Sequence, residues 1–468
     1  MRRLSVVDEI FLRTHRGLGT PIALQGLWRT EDPVEPVELA RLHAALRTGP
    51  LGRRVVRPRI PGARSRWQSS DRAHRLDLHG AAVAPEEIPG WADTRGALLD
   101  PEHGPGWRLS AAPLTTGGTI VALTCSHVLA DARGLIIAVE RALQELDSGA
   151  DADTPARPGN GTTPEPAGAQ DSDWADAARI WATVAFGGMR AAAARIPRGL
   201  RIPRGEWNPD PGKAAVARGP AVGGTADAAH AADAPAPDRP EASPDPHSAS
   251  GHGEMSEPAL ILRCPAEEWE RIATAYRGTA NSLFIWTVAN MLWAAGFPAT
   301  EITASLPVDT RDELRIDNDL AMTEIAVTPQ DGPADIRAKS RAAYERRISA
   351  PGGLPEEFLY LVPDRVAHLL SRGAGERDIL CSNIGPVPPA LSALGSSECT
   401  GLATRALHPG LRYGDRPRTR LSGYLCRFRD DYILTFASLY PERIADAAAL
   451  HRLATATAER VDLPIRPW

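Results

Sequence analysis

The residues whose types and spacing could do chemistry lie in one run, Cys125-Ser126-His127-Val128-Leu129-Ala130-Asp131-Ala132-Arg133-Gly134. Moving an acyl group from a thioester to an alcohol or amine requires a base to remove the acceptor's proton. It also requires donors for the oxyanion that forms on the carbonyl. Histidine suits the first task because its pKa lies near working pH. Asp131, four residues on, could fix the loop by an ion pair or by capping the first turn of a helix. Gly134 would relieve crowding where the loop meets that helix. The spacing alone is weak: among 12 histidines, roughly one such pairing arises by chance. An ordinary loop histidine beside a helix-capping aspartate accounts for the same residues.

Other candidates carry rival readings. Cys125 and Ser126 beside His127 suggest a nucleophile with its base, but adjacent residues at a strand end point to opposite faces, which disfavours a covalent route. Ser382 and Asn383, at the end of a strand, could donate to the oxyanion or position the acceptor. A turn residue satisfying its own backbone explains them equally well. His15, His74, His79 and His103 lack metal-ligand spacing and read as surface or structural residues. His230, His247 and His252 fall in a solvated stretch. No metal site is expected.

Elements must position these groups. Thr119–Ser126 (TIVALTCS) reads as a strand that delivers His127 to a cleft, and Leu135–Leu146 as the helix that follows. Strands are expected at 21–30 and 107–114 and a helix at 37–46, so residues 1–204 form a mixed α/β lobe carrying the His-x-x-x-Asp motif. Within it, 147–171 is rich in Asp, Gly, Pro and Thr and reads as flexible, and 172–194 reads as a helix with a Trp-bearing apolar face. Residues 205–256 have almost no large apolar side chains and are expected to be a disordered linker. Residues 257–468 form a second α/β lobe. It has a buried helix at 282–295, strands at 302–307, 321–328, 379–384, 420–427 and 432–439, and helices at 333–348, 357–371 and 441–460.

A chain of 468 residues exceeds one ordinary core, in keeping with two lobes. Its net charge of -5 gives no general attraction to nucleic acid or an anionic membrane. Five scattered cysteines without a C-x-x-C pair argue against a disulfide framework and fit a reducing cytosol. The N-terminus lacks the apolar core of a signal peptide because Asp8 and Glu9 interrupt it. No stretch reaches the roughly eighteen apolar residues of a membrane span. A cytoplasmic protein is expected, with peripheral membrane contact through the 174–194 helix as an alternative to packing on the lobe.

The motif region resembles the H-H-x-x-x-D-G signature of the CoA-dependent acyltransferase superfamily, which includes chloramphenicol acetyltransferase and the condensation domains of peptide synthetases. Within it, the chain is most similar to the bacterial wax ester synthase/diacylglycerol acyltransferase family. Leu4-Ser5-Val6-Val7-Asp8-Glu9-Ile10-Phe11-Leu12, Gly104-Pro105-Gly106-Trp107, Pro307-Val308-Asp309-Thr310-Arg311 with Asn318, and Cys381-Ser382-Asn383-Ile384-Gly385-Pro386 carry the resemblance in order. Three positions depart from the pattern: Ser126 replaces the first His, Ala132 the Gly after the Asp, and Asp317 the Gly before Asn318. The resemblance implies two chloramphenicol-acetyltransferase-like lobes with mixed sheets and an active-site tunnel between them. It implies His127 as general base and a structural Asp131 paired with an arginine of the other lobe, for which Arg311 is the candidate. The donor would be acyl-CoA or an acyl-carrier protein and the acceptor a hydroxyl compound such as a long-chain alcohol or diacylglycerol, with no cofactor beyond the thioester substrate. The basic run from Arg337 to Arg347 reads as a solvated helix face or a contact for coenzyme A phosphates. A carrier-dependent tailoring enzyme of natural-product biosynthesis, or a non-catalytic lipid- or partner-binding relative, are the rival readings.

Overall fold

A computed structural model of the chain describes residues 2–17, 21–148, 172–195, 255–346, 358–361 and 377–468. Most of the segments expected to be flexible (147–171) or disordered (205–256), and most of the 357–371 helix, lie outside the described residues, as do His230, His247 and His252.

Helix α1 (Val6–His15) begins at a reciprocal cap: the Ser5 hydroxyl accepts from the Asp8 N–H and the Asp8 carboxylate accepts from the Ser5 N–H. Strand β1 (Ala23–Thr30) and helix α2 (Pro36–Thr48) follow, then a hairpin of β2 (Arg53–Val56) and β3 (Arg66–Ser69), the short β4 (Asp77–Leu78) and helix α3 (Ile88–Asp93). Strand β5 (Trp107–Pro113) pairs antiparallel with β6 (Thr119–Ser126), and helix α4 (Ala132–Asp147) begins directly after the motif loop. Helix α5 (Asp173–Arg195) is held by ion pairs from Asp173 to Arg3 and from Asp176 to Arg64. These pairs set its rotation. Ala177 and Ile180 are buried while Trp174 and Trp181 are 71% and 57% exposed, so the tryptophans are not the packed face that the sequence suggested.

The second half runs β7 (Ala259–Pro265), α6 (Ala266–Ala275), α7 (Ala280–Ala294), β8 (Ile302–Asp309), β9 (Leu320–Val327), α8 (Pro333–Arg346), the one-turn α9 (Phe358–Leu361) and β10 (Ile379–Pro386). It continues through β11 (Ala393–Leu394), β12 (Ser397–Leu407), β13 (Leu421–Phe428), β14 (Asp431–Ser438), α10 (Ala447–Glu459) and β15 (Arg466–Pro467). Helix α7 is buried on all sides from Ser282 to Leu292, as its unbroken apolar sequence requires. It lies so close to β13 that a Cβ on Gly423 would come within 2.7 Å of Val288 and 2.9 Å of Phe284.

Two mixed sheets organise these elements. The first has strand order β11-β12-β1-β6-β5-β4 and the second β15-β7-β14-β13-β10-β8-β9, with β10 parallel to both its neighbours. The first sheet draws its strands from both halves of the chain. Strand β12, from the second half of the chain, pairs along the whole of β1 from Ala23↔Leu407 to Thr30↔Cys399 and so belongs to the first sheet. The physical reason is an edge: without β12, the almost wholly buried β1 would leave a row of peptide groups unpaired. One hydrophobic cluster accordingly joins Leu27, Trp107 and Leu123 to Leu402, Phe428 and Trp468, and a second surrounds α7.

Candidate active site

Strand β6 ends at Ser126, and the His127 N–H donates to the Ile22 carbonyl just before β1 (2.9 Å). This bond carries the sheet register one residue past the strand and fixes where the imidazole leaves the backbone. The ring stacks on Phe11 of α1, with centroids 3.7 Å apart and planes 16° from parallel. Nδ1 lies 3.0 Å from the Asn318 side-chain oxygen, in the loop between β8 and β9.

The orientation of the Asn318 amide follows from its other partners. Its NH2 donates to the Asp8 carboxylate (2.8 Å) and to the carbonyls of His127 (2.9 Å) and Val128 (3.3 Å), and its backbone N–H also donates to Asp8 (3.1 Å). A flipped amide would set its oxygen against three acceptors. With the oxygen toward His127, the neutral imidazole carries its proton on Nδ1 and keeps the Nε2 lone pair free. Burial holds the ring's pKa below the ordinary 6.5, against the raising effects of its own backbone, Asp131 and Asn318. The residue retains partial solvent exposure. A neutral, oriented imidazole with an unprotonated Nε2 is what a general base requires.

Asp131 is the N-cap of α4, accepting from the Gly134 N–H (2.8 Å). The same carboxylate accepts from the Arg311 guanidinium (2.5 Å) and from the Asp319 N–H (3.0 Å), both in the β8–β9 loop. Arg311 and Asp131 therefore meet, and both side chains are 5% exposed. Gly134 serves a tighter purpose than expected. A Cβ there would lie 2.2 Å from the Ile316 carbonyl, so the glycine lets α4 touch the opposite loop two residues before Asn318. Asp317 is buried and accepts from Arg53 (2.5 Å) and Arg2 (2.6 Å), while Arg53 also donates to the Leu129 carbonyl within the motif loop.

Ser382 and Asn383 lie on β10 and are not among the hydrogen-bond partners of His127. The Asn383 NH2 donates to Asn281 (3.1 Å) and its oxygen accepts from the Gly385 N–H (3.0 Å), so that side chain satisfies its own turn. Ser382 is partly buried. The Cys125 thiol is wholly buried and pushed up to about 12 by that burial, which removes it as a nucleophile at neutral pH. No group of three or more His, Cys, Asp or Glu placed to hold a metal occurs among the described residues.

Ser126 faces a pocket of about 280 Å³ whose wall includes His15, Ile22, Ala23, Leu98 and Pro409. The His127 ring is not in that wall, though the pocket reaches both neighbours that fix its backbone, Ser126 and Ile22. Sequence reasoning missed Asp8, Phe11 and Asn318 as partners of His127, read His15 only as a surface or structural residue, and missed Arg53 altogether. Phe11 and Asn318 stand in the sequence only as parts of the resemblance, and Asp8 as part of it and as a charge in the N-terminal run. The reciprocal Ser5/Asp8 cap was the one local signal, and it explains a helix start without exposing the second duty of Asp8.

No family's sequence profile matches the chain, and no curated protein matches it in sequence. Solved structures do. The first condensation domain of the CDA synthetase aligns at 16% identity and TM-score 0.57, covering 98% of this chain and 96% of that one. The condensation domain of the Monacolin K polyketide synthase MokA aligns at 12% identity and TM-score 0.54, covering 98% and 97%. The wax ester synthase/diacylglycerol acyltransferase from Marinobacter aquaeolei VT8 aligns at 13% identity and TM-score 0.51, covering 99% and 100%. The chain thus has the two-lobed fold of these condensation domains and of the wax ester synthase/diacylglycerol acyltransferase, and no one of these groups is singled out. Among the described residues no helix is long and apolar enough to cross a membrane.

Proposed function

We propose that this protein is an acyltransferase in which His127 acts as general base, moving an acyl group from a thioester to a hydroxyl acceptor. The observation that carries the reading is the Asp8–Asn318–His127 chain, which leaves Nε2 unprotonated in a residue that is not fully buried. The acceptor hydroxyl gives its proton to Nε2 as its oxygen attacks the thioester carbon. The tetrahedral intermediate then expels the thiolate, which takes the same proton back from Nε2. No covalent bond to the enzyme forms. Asn318 accepts from Nδ1–H throughout and keeps the ring from rotating, while Asp131 and Arg311 hold the two loops together. The substrates would enter from opposite faces of the interlobe seam, and Ser382 remains a candidate donor to the oxyanion. The thioester is substrate, not resident cofactor.

For the donor, the likeness to synthetase condensation domains as well as to a wax ester synthase/diacylglycerol acyltransferase supports an acyl-carrier protein as much as acyl-CoA. A long-chain alcohol or diacylglycerol acceptor rests on the sequence resemblance alone. Purified protein offered acyl-CoA and acyl-carrier protein in parallel, with a panel of alcohols and amines, separates the donors. His127→Ala, checked for folding by circular dichroism, should lose activity by about 10²–10⁴-fold; unimpaired transfer would overturn the reading. Measurable ligand binding without turnover in the unmodified protein would assign the chain to a non-catalytic role.

A further inference from the structure

A second cavity, of about 560 Å³, lies away from the Ser126 pocket, lined by Arg2, Arg53, Trp67, Gln68, Ser69 and the turn at Gly49–Gly52. The sequence around it is unusual in charge. Residues 51–75 hold eight arginines and a single acid, Asp71, within a chain of net charge -5. Arg53, Arg57, Arg64 and Arg66 pair with carboxylates of other segments. Arg54 instead rests on the Gln68 amide oxygen, and Arg72 on the His103 carbonyl. The hairpin therefore keeps a positive field, which a low-dielectric cleft concentrates.

Within the cavity, one carboxylate serves two guanidiniums: Asp317 accepts from both Arg2 and Arg53. The Arg53 Nε–H and the Trp67 indole N–H are buried with no hydrogen-bond acceptor among the described residues. Arg53 stacks on Trp67 at 3.8 Å from the ring centroid, so its guanidinium plane is fixed against one side of the cavity. Asp8 also lies within electrostatic reach of Arg53, but its hydrogen bonds go to Ser5 and Asn318, so Asp317 alone ties the two guanidiniums together and the half-exposed Arg2 side chain presents its guanidinium to an incoming anion. Guanidinium forks match the paired oxygens of phosphate, and the Gln68 amide and Ser69 hydroxyl offer contacts for the ester portion.

We propose that this cavity binds a phosphate group, free or as a small phosphomonoester, and that its occupancy is transmitted to His127. The path is short and covalent at both ends. Arg53 donates to the Leu129 carbonyl, between His127 and Asp131, and Asp317 directly precedes Asn318, which holds the imidazole. An anion that draws Arg2 and Arg53 from Asp317 changes the restraints on both loops at once. The transmission to His127 rests on the acyltransferase reading; the binding does not.

Calorimetric titration of the full chain with inorganic phosphate, and separately with 3′-phosphoadenosine and with adenosine, tests the site. Binding by phosphate and the phosphoester but not by adenosine is expected, with affinity falling about tenfold in Arg2→Ala, the loss of one charge-assisted bond. Binding by the phosphoester alone identifies an ester ligand, and comparable binding of both identifies the free anion. The Arg2 side chain is 49% exposed, so this variant should fold, and Gln68→Ala supplies a second, milder loss. No binding by any phosphate compound at millimolar concentration, or binding unchanged in both variants, overturns the proposal. For the transmitted effect, phosphate should shift the imidazole resonances or the apparent pKa of His127 in the unmodified protein and less in Arg2→Ala. Binding without acyl transfer would count against the enzymatic reading alone, and transfer without binding against this site alone.

Discussion

Asn318 offers two amide hydrogens to three acceptors, the Asp8 carboxylate and the carbonyls of His127 and Val128. That arrangement makes the tautomer of His127 a consequence of Asp8, a residue 119 positions earlier in the chain. Asp8→Asn removes the charge that fixes the amide and should lower kcat on the order of a hundredfold, the lower end of what a positioned base contributes. Helix content should hold, since Asn is a fair substitute in the cap. Asn318→Asp should act differently. A carboxylate facing Nδ1 favours the imidazolium, so the acid limb of the rate profile should move up by about one pH unit. In the unmodified protein that limb should lie below the ordinary histidine value of 6.5, because burial lowers the His127 pKa. The same shift links to stability. The unfolded chain binds a proton near 6.5 that the folded ring resists, so His127's contribution is intact above that pH and declines as pH falls below it. Asp8 runs the opposite way: burial raises its pKa, so the contribution it makes at low pH is lost as pH rises through the raised value. Urea midpoints measured from pH 4 to 8 in His127→Gln and the parent would separate the two. At this scale the motif spacing singled out His127 and Asp131, and the family resemblance supplied Arg311, which does meet Asp131. The sequence did not expose the Asn318 contact, because two loops 191 residues apart leave no periodicity to read.

Elements were legible where their pattern was strong. The apolar content of 119–126 and the unbroken run in α7 gave nearly the observed bounds. Strand β12, SECTGLATRAL, was missed because small and polar residues disguise it. Its composition answers to packing: a Cβ on Gly401 would sit 2.3 Å from the Trp468 indole nitrogen. The motif loop is braced at the start of α4, and two substitutions should report on it. Arg311→Ala leaves Asp131 buried without its cation and should cost about 3–5 kcal/mol of stability, measured by denaturant unfolding. Gly134→Ala forces a Cβ toward the Ile316 carbonyl. It should impair kcat more than a typical helix substitution would, since the loop it pushes carries Asn318. Normal turnover in Gly134→Ala would mean that the contact is slack.

For the molecule as a whole, composition and length indicated two lobes, and the first sheet takes strands from both halves of the chain. Residues 1–204 expressed alone should fail to give a cooperative thermal transition, because β1 lacks β12 and the first core lacks Leu402, Phe428 and Trp468. Adding residues 255–468 in trans should restore one. A cooperative fragment by itself would show that the β1–β12 ladder is dispensable.

That ladder also limits how the molecule can breathe. A strand stitched along its full length into the other half works like a hasp, so the halves cannot swing wide without tearing hydrogen bonds. A substrate for the proposed acyl transfer would have to reach His127 with that ladder intact.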